Sequence, residues 1–139
     1  MGRALGAANA KALSHFVTMN YISTIETKKI YLANQDMRVV KIVGCPRVAG
    51  NDGSDVTLEF YKSASAAAVG AGTKLHYGTY DVKGTADANQ ELTLIPDGVD
   101  YGDPTALELS SGDSLGFVLT GTATLAVGTV TITLEPVEN

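Results

Sequence analysis

The 139-residue chain has no tryptophan, one cysteine and two histidines, and aromatic residues make up only 6% of it. Because Cys45 has no second cysteine to pair with, the sequence does not indicate a secreted disulfide scaffold. His15 and His76 are the only imidazoles, and no G-x-S-x-G motif marks a serine that His76 could activate. This scarcity of reactive side chains predicts that the protein is not an enzyme.

Clustered positive charge and long apolar runs are also missing. The net charge is −5, and the largest basic group is the pair Lys28 and Lys29, so the electrostatic footprint of a nucleic-acid-binding protein is absent. No stretch approaches the ~20 apolar residues of a membrane span, and polar residues interrupt the N-terminal segment where an export signal needs an apolar core. The length fits a single domain. We therefore expect a soluble protein made in the cytoplasm, with no nucleic-acid or membrane partner.

Two loops have a loose likeness to ligand sites. The stretch VGAGTKL, residues 69–75, lacks the Gly-Lys-Thr order and the following helix of a phosphate-binding loop. The acidic run Asp97, Asp100 and Asp103 lacks both the alternating spacing and the distal glutamate of a calcium loop. Both stretches are interpreted as connections between strands, so the sequence predicts no cofactor and no metal site.

From residue 26 onward the sequence has the pattern of short β-strands. Val130, Ile132 and Leu134 point to one side of such a strand, and the threonines between them point to the other. Clusters of Gly, Asp and Pro separate the candidate strands. These are 28–33, 37–43, 56–62, 74–82, 91–95, 106–109, 114–120 and 127–134. The pattern predicts an all-β domain over residues 26–139, an antiparallel two-sheet sandwich of jelly-roll type.

Residues 1–25 do not follow this pattern. Apolar residues recur there at near-helical spacing, but glycines and asparagines weaken a helix of so few turns. The segment is predicted to be an N-terminal arm or a short helix. The alternative is a first strand and turn that complete the domain.

Over roughly residues 37–137 the chain resembles the small capsid decoration, or cement, proteins of tailed bacteriophages, particularly the jelly-roll type of short-tailed phages. The stretches that carry the resemblance are VVKIVGCPRVAGNDGSDVTLEFYKSASAAAVGAGTKL, DVKGTADANQELTL and LELSSGDSLGFVLTGTATLAVGTVTITLEPV. In order along the chain, these stretches contain a strand that ends near a proline, a Gly/Asp loop, a Thr-rich strand and a closing strand, and this order is what resembles the family. No catalytic motif is part of the resemblance.

The resemblance implies a structural virion protein that binds the outer surface of the capsid and bridges neighbouring major capsid subunits. Its partners would be the major capsid protein and itself, with a homodimer favoured over a homotrimer, and its place would be the outer surface of the virion. We expect the apolar residues of the arm to contact the capsid or a sister subunit. These candidate contact residues are Leu13, Phe16, Met19, Tyr21 and Ile22.

The alternative function is a carbohydrate-binding β-sandwich module of a tail fibre, a tail spike or a secreted enzyme. Such modules bind sugars on exposed aromatic platforms, for which Tyr61, Tyr77, Tyr80 and Tyr101 are the candidates. The absence of tryptophan and the low aromatic content argue against it. Tyrosine is also enriched at protein interfaces, which favours packing or contact roles for these residues.

Overall fold

The computed structural model describes residues 14–22, 26–49, 57–95, 106–121 and 126–137. Within these ranges the chain forms nine β-strands and one 3₁₀ turn, Val69–Ala71, and the strands build two antiparallel sheets. The strands are β1 (His15–Tyr21), β2 (Glu26–Leu32), β3 (Met37–Val48), β4 (Thr57–Ser63), β5 (Thr73–Lys74), β6 (Gln90–Glu91), β7 (Glu108–Leu109), β8 (Ser114–Thr120) and β9 (Val127–Pro136).

The strands pair like one long hairpin wound around itself. The innermost pair is β4 with β5, and it is enclosed in turn by β3 with β6, β2 with β8, and β1 with β9, all antiparallel. Folding this hairpin over brings β9 against β3 and β8 against β4. Sheet A therefore has the order β1-β9-β3-β6, with β7 also paired to β3, and sheet B has the order β2-β8-β4-β5. This is the strand order of a jelly roll and confirms the predicted two-sheet sandwich.

The core lies between the two sheets and follows the period-two pattern of the sequence. Val130, Ile132 and Leu134 of β9 are buried, and the threonines between them face outward and are half-buried. Burying each large apolar side chain contributes about 1.5–3 kcal/mol. The largest fully buried side chains are Tyr21, Tyr80, Phe60, Phe117, Met37, Ile42, Leu58, Leu75, Leu109, Leu115, Leu119 and Ile132.

Two glycines make room for two tyrosine rings in this core. A Cβ atom on Gly44 of β3 would overlap the ring of Tyr80, and a Cβ atom on Gly128 of β9 would overlap the ring of Tyr21. The two rings meet edge to face, with centroids 5.6 Å apart and an interplanar angle of 70°, and their hydroxyls share a hydrogen bond of 3.0 Å. Each buried hydroxyl therefore has a partner, which avoids the ~1–3 kcal/mol cost of an unpaired one.

The predicted strand over 74–82 is mostly irregular. Only Thr73–Lys74 is a strand there, and the rest is turns with two isolated bridges, Leu58 to Tyr80 and His76 to Leu94. Gly78 has a φ of 61°. This left-handed conformation breaks the extended backbone and ends the pairing.

The predicted arm is corrected for residues 15–21, which form β1. This strand pairs with β9 along its whole length, from His15 opposite Leu134 to Tyr21 opposite Gly128. Its inward side chains alternate at period two, but Phe16 on the outward side hides the alternation in the sequence. The alternative of a first strand of the domain therefore holds for this part, and residues 1–13 and 23–25 lie outside the described residues.

Candidate interaction surface

The outer face of sheet B is covered by the chain itself. The connection between β4 and β5 crosses it, and the buried side chain of Val69 lies against Gly116 of β8, where a Cβ atom would overlap it. A Cβ atom on Gly72 would likewise overlap the carbonyl of Lys62. Residues 69–72 of the stretch VGAGTKL thus connect β4 to β5, as predicted, and their small size lets them lie flat on the sheet, whereas Thr73–Lys74 of the same stretch forms β5.

In the described part of the chain, the outward side chains of sheet A are exposed or half-buried. Strand register aligns its outward side chains in three rows across β1, β9 and β3. Two of the rows are linked by side-chain contacts, because the Oγ1 atoms of Thr18 and Thr131 are 3.5 Å apart and Thr129 Oγ1 donates to Asn20 Oδ1 over 2.8 Å. The rows are Phe16–Thr133–Lys41, Thr18–Thr131–Val43 and Asn20–Thr129–Cys45.

Charges on this face lie toward its margins. Lys41 approaches Glu91 of β6 at 4.0 Å, and Arg38 forms an ion pair of 3.2 Å with Glu108 of β7. On β1, β9 and β3 the rows that run through Thr131 and Thr129 contain no charged side chain, and the row through Thr131 meets Glu91 where β6 pairs with β3. A sheet face that is rich in hydroxyls and has its charges toward the margins can contact another protein while desolvating few ions, and its β-branched side chains have little rotamer freedom to lose.

The predicted contact residues of the N-terminal segment separate into two groups. Phe16 and Ile22 are 68% and 58% exposed, so both are available to a partner. Met19 and Tyr21 are only 5% and 2% exposed because the pleat of β1 turns them into the core, and the prediction of a contact role is corrected for these two. Leu13 lies outside the described residues.

His76 holds backbone segments together. Its side chain is 1% exposed, its Nε2 atom accepts from the Phe60 N–H over 3.0 Å, and its Nδ1–H donates to the Tyr77 carbonyl over 3.0 Å. Burial, followed by the charge of Lys74, lowers the pKa of the imidazole to about 4, and the charge of Glu59 opposes this shift. Both ring nitrogens are engaged by the backbone, so the neutral imidazole is a structural bridge next to a cavity of about 260 Å³.

One of the tyrosines predicted for a sugar platform does not lie at the surface. Tyr80 lies in the core, and Tyr61 is half-buried and donates from Oη to Glu59 over 3.1 Å. Glu59 also pairs with Lys74 at 2.7 Å; burial alone raises the pKa of this carboxyl, but the bonds from Lys74 and Tyr61 bring it below its ordinary value. Tyr101 lies outside the described residues. Tyr80 therefore cannot be part of an exposed aromatic platform for sugars.

Within the described ranges, no three or more His, Cys, Asp or Glu side chains converge in a way that could hold a metal ion. The acidic run Asp97, Asp100 and Asp103 is not among those residues. None of the described segments is a helix long and apolar enough to cross a membrane.

The sandwich is similar to a chain of a solved phage structure, described as "Cyanophage Pam1 capsid asymmetric unit". The match has 13% sequence identity and a TM-score of 0.50, and it covers 88% of this chain and 81% of that chain. The two chains share a fold. A chain of a second structure, "Bacillus endospore appendages form a novel family of disulfide-linked pili", has 12% identity and covers 91% of this chain and 88% of that chain, at a TM-score of 0.35. No protein-family model and no curated protein matches the sequence.

Proposed function

We propose that the chain is a structural protein of a phage virion that binds the outer surface of the capsid and stabilises the shell by bridging neighbouring major capsid subunits. The observation that carries this proposal is the shared fold with a chain of the cyanophage capsid asymmetric unit. Because the match covers similar shares of the two chains, 88% and 81%, they are of similar length. A small jelly roll of this kind, rather than one domain of a much larger subunit, is thus a component of that capsid.

The outer face of sheet A is the surface that we assign to the shell. The other face of the sandwich carries the Val69 connection, whereas the described side chains in the rows through Thr131 and Thr129 are exposed or half-buried and are uncharged on β1, β9 and β3. Strand pairing holds these threonines in fixed positions, so the threonines lose little conformational entropy when a partner hydrogen-bonds to them. Many copies on one shell would act together, and modest contacts per copy would suffice to stabilise it.

Attachment can be measured by cosedimentation of the purified chain with expanded shells of the phage that encodes it, after the native copies have been stripped. We expect the wild-type chain to pellet with the shells and Thr131→Glu to lower the bound copies at least about tenfold, because it buries a carboxylate in the contact. The matched control is Thr27→Glu, an exposed threonine on β2 of the other sheet, which should bind like the wild type.

Two outcomes would contradict the proposal at different levels. A wild-type chain that does not pellet with its own shells contradicts the capsid role. Equal binding of Thr131→Glu and Thr27→Glu contradicts the assignment to sheet A. Far-UV circular dichroism of both variants shows whether a loss of attachment reflects unfolding, and cryo-electron microscopy of decorated shells locates the bound face directly.

A further inference from the structure

The edge formed by β1 differs from the other described strand edges in its charge. β1 is seven residues long and contains no Asp, Glu, Lys, Arg or Pro. Proteins normally protect sheet edges from pairing with other chains by making them short or by placing charges or proline on them. The remaining edge strands follow that rule: β2 contains Glu26, Lys28 and Lys29, and the two-residue strands β5, β6 and β7 contain Lys74, Glu91 and Glu108.

This edge also has room for another strand. β1 is bonded to β9 on one side, and no described strand is bonded to its other side. A groove of about 380 Å³ separates β1 from β2, so β2 does not close over the edge. Its lining on the β1 side is uncharged, with Thr18, Met19 and Asn20, and the charged residues Glu26, Lys28 and Lys29 line it on the β2 side. A strand added beside β1 would extend sheet A without displacing any described element.

We propose that the occupant of this edge is a second copy of the chain. The two β1 strands would pair antiparallel around a twofold axis at Met19 and join two copies of sheet A into one continuous sheet. A twofold contact places the same surface of both copies face to face, so charges of one sign on β1 would lie close to like charges of the second copy and repel them. With a net charge of −5, two copies repel one another in general, and an uncharged edge is where they can approach.

The exposed apolar residues select the register. Phe16 and Ile22 lie three positions before and three positions after Met19. Pairing around Met19 therefore sets Phe16 of each copy opposite Ile22 of the other. The dimer then contains two such pairs, and each pair covers two large apolar side chains that are exposed in the single chain. The same register sets Thr18 opposite Asn20 of the second copy, on the outward face.

The Thr18 and Asn20 positions allow a test with matched charges. In this register Thr18→Lys/Asn20→Lys places lysine opposite lysine at two positions, whereas Thr18→Lys/Asn20→Glu places lysine opposite glutamate. Both side chains face away from the core, and both variants lose the same contacts to Thr131 and Thr129. Sedimentation equilibrium of the isolated full chain measures the dimer dissociation constant for each.

We expect a wild-type dimer, a dissociation constant at least about tenfold weaker for the lysine/lysine variant, and a retained dimer for the lysine/glutamate variant. Mixing the lysine/lysine variant with Thr18→Glu/Asn20→Glu should restore dimers of the two different chains. Circular dichroism checks that all variants are folded.

A wild-type chain that stays monomeric overturns the inference and would leave the edge to another occupant, such as residues 1–13. A lysine/lysine variant that dimerises like the wild type also overturns it, because the contact then lies elsewhere. Loss of the dimer in the lysine/glutamate variant alone overturns the register around Met19. None of these measurements involves the shell, so their failure is separate from failure of the capsid role.

Discussion

Lowering the pH from 7 to 4 should destabilise the sandwich through His76. Protonation of its Nε2 atom would set that N–H against the N–H of Phe60 inside the core. The pKa of His76 is about 4 in the folded chain, against an ordinary value of 6.5 that we take for the unfolded chain. The difference corresponds to about 3 kcal/mol in the free energy of unfolding. Because the folded pKa is the lower one, this stability is present above pH 6.5 and is lost as the pH falls toward 4.

The assay is urea unfolding at a series of pH values, followed by far-UV circular dichroism. His76→Gln keeps an acceptor for the Phe60 N–H but does not titrate. Between pH 7 and pH 4, the free energy of unfolding of the wild type should therefore fall by about 3 kcal/mol more than that of His76→Gln. His15→Gln, on β1, should follow the wild type. The ion pair of Glu59 with Lys74 weakens only below the lowered pKa of Glu59 and is present in all three proteins.

Two results would refute this reasoning about His76. One is the same pH dependence of stability for the wild type and His76→Gln. The other is an NMR titration in which the imidazole of His76 in the folded chain has an ordinary pKa. Either would mean that the ring is not held neutral by its two backbone partners.

Two further predictions concern packing in and around the core. Tyr80→Phe should lower the free energy of unfolding by about 1–3 kcal/mol because it leaves the hydroxyl of Tyr21 without its partner. In a double-mutant cycle measured by chemical denaturation, the loss for Tyr21→Phe/Tyr80→Phe should be smaller than the sum of the losses for the two single changes. Strict additivity of the two losses would contradict the hydrogen bond. Gly116→Ala should lower the free energy of unfolding by about 1–3 kcal/mol, because its Cβ atom would overlap both the backbone carbonyl of Lys28 and the side chain of Val69. Gly70→Ala, where a Cβ atom meets only an ordinary contact, should leave thermal unfolding nearly unchanged. Equal melting temperatures of the two variants would contradict the close packing around Gly116.

The sequence predicts this fold best where a strand has one apolar and one polar side. The strand 114–120 has the bounds that the sequence predicts, and 127–134 is part of β9. Both lie inside a sheet, with neighbours on either side, so alternation at period two survives along their whole length.

Prediction was poorer where pairing, rather than polarity, decides the structure. β1 presents Phe16 outward and Met19 inward, so both of its faces have apolar residues and the sequence does not distinguish core from surface. The role of Val69 depends on the facing Gly116, which is distant in sequence, and no local pattern links the two. The outer face of sheet A was equally hidden, because only the register aligns Thr18 of β1 with Thr131 of β9.

The winding of the jelly roll places both proposed contacts on the same sheet. The outermost pair of the wound hairpin is β1 with β9. When the hairpin folds over, β3 pairs with the free side of β9, and β1 stays at the edge of sheet A. Sheet B has instead a charged edge in β2 and a covered outer face. Pairing of two β1 strands around an axis perpendicular to the sheet would keep both Thr131 faces on one side. A dimer would then present two copies of the outer face of sheet A to one shell, and the second attachment would be favoured by the effective concentration that the first creates.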